Sequence, residues 1–210
     1  MTGFEPFGGD AENASQAAVA RLVADWADAG VELLTATLPV TFAGAPDRLA
    51  ALVAEHRPDA ALAVGEAGGR AEVTPERYGR NRLDARIPDN AGARPRDQRV
   101  DDGPALRPAT LDVDDMAARL RAGGLPARVS EDAGAFVCNR VAVAVAALDV
   151  PAAFVHVPAF RSTGVAGVGA ETDSRAVVRP GGLDLDDLAR ALGICVRSAV
   201  DSVRRGCGSA

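Results

Sequence analysis

Two short segments constrain this chain most. Residues 59–65 read Asp-Ala-Ala-Leu-Ala-Val-Gly, and residues 152–157 read Ala-Ala-Phe-Val-His-Val. Neither alternates polar with apolar positions, so neither suits a strand with one wet face. A short, nearly continuous apolar run fits a strand buried on both faces, the kind found in a parallel sheet covered by helices. The rest of the chain supplies the covers. Residues 15–29 carry Val19, Leu22, Val23 and Trp26 at the spacing of one helix face, with Ser15 as a candidate N-cap. Val31–Leu38 reads as a strand, and residues 45–56 as a helix stopped by Pro58. Residues 112–122 place Val113, Met116, Ala117 and Leu120 in helical register; Ala127–Ser130 reads as a strand and Ala135–Leu148 as a buried helix. A last helix is expected from Leu185 to Arg204, with Leu188, Leu192, Cys195 and Ala199 on one face and Asp184 or Asp186 as its cap. This alternation predicts an α/β fold: a three-layer α/β/α sandwich around a mostly parallel mixed sheet, formed by one catalytic domain spanning residues 1–210.

Residues 66–110 interrupt the pattern. They are rich in Gly, Pro, Arg, Asp and Asn, and a structureless loop of that length is uncommon inside a compact domain. Short strands and site-forming loops are expected there. Residues 159–182 are glycine-rich and expected to be mobile. In α/β folds the ligand sits beyond the carboxyl ends of the strands. Gly65–Gly69 and Val157-Pro158 follow two such ends, which draws the polar stretch and His156 together.

Composition narrows the functional classes. The net charge is −6 and every one of the 23 basic residues is arginine, without a basic block, so a nucleic-acid partner is not expected. No apolar run is long enough to span a bilayer, and the start Met1-Thr2-Gly3-Phe4-Glu5 has no secretory pattern. Three cysteines, read as free thiols, then point to a cytoplasmic protein. No Cys/His cluster has metal-site spacing, so neither metal nor cofactor is expected.

Cys138 follows a glycine-containing turn, Asp132-Ala-Gly-Ala-Phe-Val-Cys138, and opens an apolar helix. Unpaired amides and the helix dipole at that position favour a thiolate. The plainer alternative is a small buried hydrophobe, which also serves for Cys195 on its helix face, with Cys207 as a tail thiol. With only two histidines in the chain, His156 is the candidate base for Cys138, or else a hydrogen-bonded core residue. Glu76 could orient that imidazole, though by sequence alone it is one acid among 29. Phe4 and Phe7 could cap the core or offer an apolar pocket. Gly65–Arg70 has the composition of a phosphate loop but neither the Walker lysine nor dinucleotide spacing.

Together these segments form a recognisable set: TGFEPFGG at 2–9 with Asn13 and Ser15, LPV at 38–40, GEAGGR at 65–70, TPER at 74–77, ARIPDN at 85–90, DGP at 102–104, AGAFVCN at 133–139 and FVHVP at 154–158. Each is weak alone; jointly and in this order they resemble the pyroglutamyl peptidase type I family. The resemblance implies a cysteine peptidase with Cys138 as nucleophile, His156 as base and acid, and Glu76 as third member. It implies Arg86 near the oxyanion, and a pyroglutamyl pocket at Phe4, Phe7, Ile87, Phe136, Val137 and Glu66. It further implies a phosphorylase-like sandwich, N-terminally pyroglutamylated peptides as substrates, and a homo-oligomer, tetramer or dimer.

Three features depart from the family pattern. The family usually has a strand's worth of residues before TGF, so the first strand reads as cut short, with the true start expected upstream of Met1. After HVP the family usually reads Tyr-x-Pro-Glu-Gln, where this chain has Ala159-Phe-Arg-Ser-Thr163. Glu66 stands where the family often has Gln or Leu, and its carboxylate could face the lactam site or solvent. These departures leave two rival readings: a catalytically impaired homologue serving as a binding module, or a nucleoside-phosphorylase-like enzyme of the same fold.

Overall fold

The computed structural model describes residues 1–162 and 182–207. Most of the glycine-rich stretch, residues 163–181, and the side chain of Cys207 lie outside the described residues. The elements in chain order are β1 (Thr2–Phe4), α1 (Ala14–Asp25), β2 (Ala36–Leu38), α2 (Gly44–His56), β3 (Ala61–Ala67), β4 (Thr74–Glu76), β5 (Tyr78–Arg80), β6 (Leu106–Pro108), α3 (Val113–Ala122), α4 (Val137–Val145), β7 (Ala152–Pro158) and α5 (Leu185–Cys207).

The two apolar runs become β3 and β7, buried at all seven positions and paired in parallel from Ala61↔Ala152 to Ala67↔Pro158. The main sheet has the order β2-β1-β3-β7-β4, with β4 antiparallel to β7 and the other pairs parallel. Strand alternation sorts the side chains into two cores. Leu62, Val64, Ala153, Val155 and Val157 pack under α1, α3 and α5. Ala61, Ala63, Ala152 and Phe154 pack under α2 and α4. Full burial of a Leu, Val or Phe side chain is worth roughly 1.5–3 kcal/mol, so these two layers hold the sandwich together.

The polar stretch does contain short strands. β4 extends the main sheet, and β5 and β6 form a separate antiparallel pair. Gly79 of β5 lets α4 come close: a Cβ there would lie 2.5 Å from the Val143 amide nitrogen.

Several local expectations are corrected. The expected strand Val31–Leu38 is reduced to Ala36–Leu38, the length over which it pairs with the three residues of β1; Leu34 is 40% exposed. Residues 127–130 run alongside β4 but make only single bridges, at Ala127 and Ser130. Pro75 explains the gap, because it has no N–H to donate in the middle of that ladder. The N-cap of α1 is Asn13, which accepts from the Ser15 amide at 3.0 Å. Ser15 instead accepts from the Phe4 amide at 2.9 Å, tying α1 to the end of β1. Asp184 caps α5, accepting from the Asp187 amide at 2.8 Å. β1 has three residues and lies between β2 and β3, with Thr2 opposite Ala63 and the Met1 ammonium on the Leu34 carbonyl at 2.7 Å.

Candidate active site

The carboxyl ends of β3 and β7 and the start of α4 converge on the α2/α4 face. Gly134, at φ +84°, turns the chain, and Phe136 is the N-cap of α4 without a side-chain hydrogen bond at that cap. Cys138 is therefore the second residue of the helix, among amides that have no intrahelical acceptor. Its sulfur rests against β3. A Cβ at position 65 would stand 2.8 Å from Cys138 Sγ and 2.7 Å from Phe154 Cζ, so glycine there is what admits the thiol. Gly65 is the register partner of His156, which puts the sulfur on the same sheet face as the imidazole and one strand away.

His156 and Glu76 are joined directly. Nδ1 lies 2.7 Å from Glu76 Oε1, and both side chains are almost fully buried. Burial pushes the Glu76 carboxyl up, but the hydrogen bond and charge of His156, then the charge of Arg70, prevail and hold it down near 2. Burial, then the Arg70 cation, pushes His156 below its usual 6.5, against the pull of Glu76. At neutral pH the pair is thus an ionised carboxylate and a neutral imidazole. An ionised carboxylate only accepts, so Nδ1 carries the hydrogen and Nε2 is left as the base.

Arg70 completes the constellation. Its guanidinium touches Thr74 Oγ1 and Glu76 Oε1, and donates to the Asp132 carbonyl at 2.7 Å, on the turn that leads to Cys138. Reading the sequence leaves Arg70 without a role; its place in the GEAGGR motif was the only signal.

An aromatic cluster flanks the thiol. The Phe7 and Phe136 ring centroids are 6.0 Å apart, and Phe42 meets Phe136 edge-on at 5.3 Å. Ile87 packs half-buried against the same cluster, with Arg86 exposed beside it. Phe4 is 2% exposed, and its ring lies 6.3 Å from that of Phe154, while Phe7 is half-buried. Val137 is buried in the core of α4. Three loops carry these residues, and polar side chains knit them together. Glu5 accepts from the Val40 amide and Asn90, while Asp89 accepts from the amides of Phe42, Ala91 and Ala93.

Glu66 lies away from the other expected site residues. Gly65 faces Cys138, so its neighbour points to the opposite sheet face. There the Glu66 carboxylate accepts from the Ala14 amide at 2.6 Å and from both terminal nitrogens of Arg161 at 2.8 Å. It faces neither the thiol nor solvent. The two departures from the family pattern, at 66 and 161, are one ion pair.

Among the described residues, no group of three or more His, Cys, Asp and Glu could hold a metal ion, and no helix is long and apolar enough to cross a membrane.

The family model for pyroglutamyl peptidase matches residues 1–180. The pyrrolidone-carboxylate peptidase of Chromobacterium violaceum is 41% identical over 200 residues, covering 93% of this chain and 89% of the relative. That of Streptococcus suis is 35% identical over 223 residues, covering 100% and 97%. The crystal structure of pyroglutamyl peptidase I from Bacillus amyloliquefaciens superposes with a TM-score of 0.79 at 32% identity, covering 96% of this chain and 92% of that one. Pyrrolidone carboxyl peptidase from Pyrococcus furiosus gives 0.81 at 29%, covering 96% and 97%. Shared along nearly its whole length in sequence and in fold, the chain belongs to the pyroglutamyl peptidase family.

Proposed function

We propose that this protein is a cysteine peptidase that hydrolyses the amide bond after an N-terminal pyroglutamyl residue. The observation that carries the reading is the buried His156–Glu76 pair beside a thiol seated over Gly65 at the start of α4. Pyroglutamate has its α-amine closed into a lactam and carries no charge there. The apolar side chains of Phe7, Phe136 and Ile87 would accept such a ring and reject a free ammonium, whose desolvation is costly.

In this reading His156 Nε2 takes the Cys138 proton and the sulfur attacks the pyroglutamyl carbonyl. Amides at the start of α4, with Arg86 in support, stabilise the oxyanion; one such donor is worth about 3–4 kcal/mol. The imidazolium, balanced by Glu76, then protonates the leaving amine, and the thioester forms as the C–N bond breaks. The neutral imidazole next deprotonates a water that attacks the thioester, releasing pyroglutamate and restoring the thiol.

The test is release of a chromophore from a pyroglutamyl amide. Wild type should turn over, while Cys138→Ser and His156→Ala should lose nearly all activity. Turnover retained by Cys138→Ser contradicts the nucleophile assignment. An inactive wild type that still binds a pyroglutamyl peptide would favour the binding-module reading, and phosphate-dependent cleavage of a nucleoside would favour the phosphorylase. A single catalytic unit over 1–210 and a cytoplasmic location belong to the same reading from the sequence, and a homo-oligomer from the family resemblance.

A further inference from the structure

Behind the catalytic face lies a buried charge cluster that the reaction itself does not use. Arg161 sits three residues beyond the end of β7, on the segment that follows His156. Its side chain is 6% exposed and makes two ion pairs: Nη1 and Nη2 with Glu66, at 2.8 Å each, and Nη2 with Asp10 at 2.5 Å. Glu66 belongs to β3, beside the glycine that seats Cys138, and is fixed by the Ala14 amide. Asp10 lies on the loop that carries Phe7, and the Asp10 amide donates to the Phe7 carbonyl at 3.2 Å. The next residue repeats the connection: the Ser162 amide donates to Glu12 at 2.8 Å, and the Ser162 hydroxyl bonds the same carboxylate.

Two carboxylates thus share one guanidinium in a place nearly closed to water. Unpaired buried charge is costly, so the three groups hold one another in place. The carboxylates come from different parts of the molecule, one rigid and one a loop. Burial here does not make a stronger core; it fastens the loop of Phe7 to the sheet ends that carry Gly65 and His156.

We propose that Arg161 is a positioning residue for substrate binding: by bridging Glu66 and Asp10 it fixes the 5–12 loop, and with it Phe7, over the pyroglutamyl cleft. Arg161 touches neither substrate nor thiol. Its effect therefore falls on how well the ring is held, while Cys138, His156 and Glu76, carried by α4, β7 and β4, keep their own arrangement. The kinetic part of this inference rests on the peptidase reading; the structural part does not.

Asp10→Asn removes the charge from the loop's arm of the bridge and so weakens it, leaving Glu66–Arg161 intact, so it should fold normally. Arg161→Met removes the bridge, Arg161→Lys keeps the charge, and Arg161→Met/Glu66→Gln removes one of the two carboxylates that Arg161→Met strands. With a pyroglutamyl amide, KM should rise about tenfold in Arg161→Met and several-fold in Asp10→Asn, with kcat changed less than about threefold. Arg161→Lys should recover part of the loss, while the double variant, which still lacks the bridge, should keep the raised KM. Hydrogen–deuterium exchange across 5–12 should quicken in Asp10→Asn, with 74–76 and 152–158 unchanged. Wild-type KM together with wild-type exchange in Asp10→Asn overturns the proposal, as does a fall in kcat at constant KM, the mark of a partly misfolded sample. Faster loop exchange in a protein whose wild type does not cleave pyroglutamyl amides would refute the peptidase reading and leave the bridge standing.

Discussion

Glu76 and His156 meet on a diagonal of the antiparallel β4–β7 pair. The Cα partner of His156 is Thr74, and Glu76 follows two residues later on the same face. Diagonal neighbours in a sheet lie within reach of long side chains, and here the reach ends in a 2.7 Å contact. The backbone register therefore sets the geometry of the base. Glu76→Gln tests this. A glutamine can present its NH₂ to Nδ1, which would stabilise the wrong tautomer and leave Nε2 protonated. The expected result is a fall in kcat of about 10³-fold or more with little change in KM. A variant within tenfold of wild type would remove Glu76 from the mechanism.

The same pair makes stability fall with acid. The Glu76 carboxyl is depressed in the fold, so its contribution is present above the unfolded value of 4.5 and is lost as pH falls toward 2. His156 is also depressed, so the unfolded chain binds its proton first, and stability is lost as pH falls through 6.5. Both effects have one sign. The urea midpoint should drop steadily from about pH 7 to pH 4, and Glu76→Gln should flatten the lower part of that slope. A midpoint independent of pH over this range would contradict the assigned protonation states.

Arg70 should govern the acid limb of the rate profile. Its cation is among the causes that hold His156 low, and the base must be neutral to act. Arg70→Met should therefore raise the imidazole pKa and move the acid limb of kcat/KM to higher pH, besides lowering the plateau through a less well-held Glu76. An acid limb that stays put or moves to lower pH would argue against Arg70 acting on the imidazole.

How much of this was readable beforehand depends on the residue. β3 and β7 were legible because burial on both faces leaves an almost purely apolar run, and α3 because Val113, Met116, Ala117 and Leu120 keep helical spacing. The proposed triad rested on a thiol at a helix start and the scarcity of histidine, backed by the family motifs. Glu66 was misread because a strand's two faces look alike in sequence when both are buried; only the packing of Cys138 on Gly65 shows which face is the site. The Arg161 bridge spans 151 residues to Asp10, a separation at which no local pattern could announce it.

The seat of the sulfur gives a sharp steric test. Gly65→Ala would put a methyl carbon 2.8 Å from Sγ and 2.7 Å from the Phe154 ring, closer than carbon atoms tolerate. Either the start of α4 or Phe154 must shift, and Phe154 stacks edge-on against His156 with centroids 4.9 Å apart. Misplacement of about 1 Å at a reacting atom can cost 10²-fold, so activity should fall at least that far. The rate of thiol alkylation by iodoacetamide should change alongside. Near-normal turnover would mean the sulfur does not work from this position.

Asn139 separates scaffold from chemistry. It follows the nucleophile, is fully buried, and its amide makes three bonds: Oδ1 accepts from the Arg80 amide, and Nδ2 donates to the carbonyls of Arg80 and Arg82, each at 2.8 Å. Those bonds fasten the first turn of α4 to β5 and the chain just after it. Asn139→Asp is nearly isosteric but cannot donate, so it would aim a carboxylate at two carbonyl oxygens and leave both unsatisfied. With each unsatisfied buried group costing about 1–3 kcal/mol, stability should fall by roughly 2–5 kcal/mol in urea unfolding. Asn139→Ala should cost less than Asn139→Asp: it strands the Arg80 amide as well as the two carbonyls, but it sets no buried charge against them. The reverse order of the two variants would show that the amide's donors do not hold the helix in place.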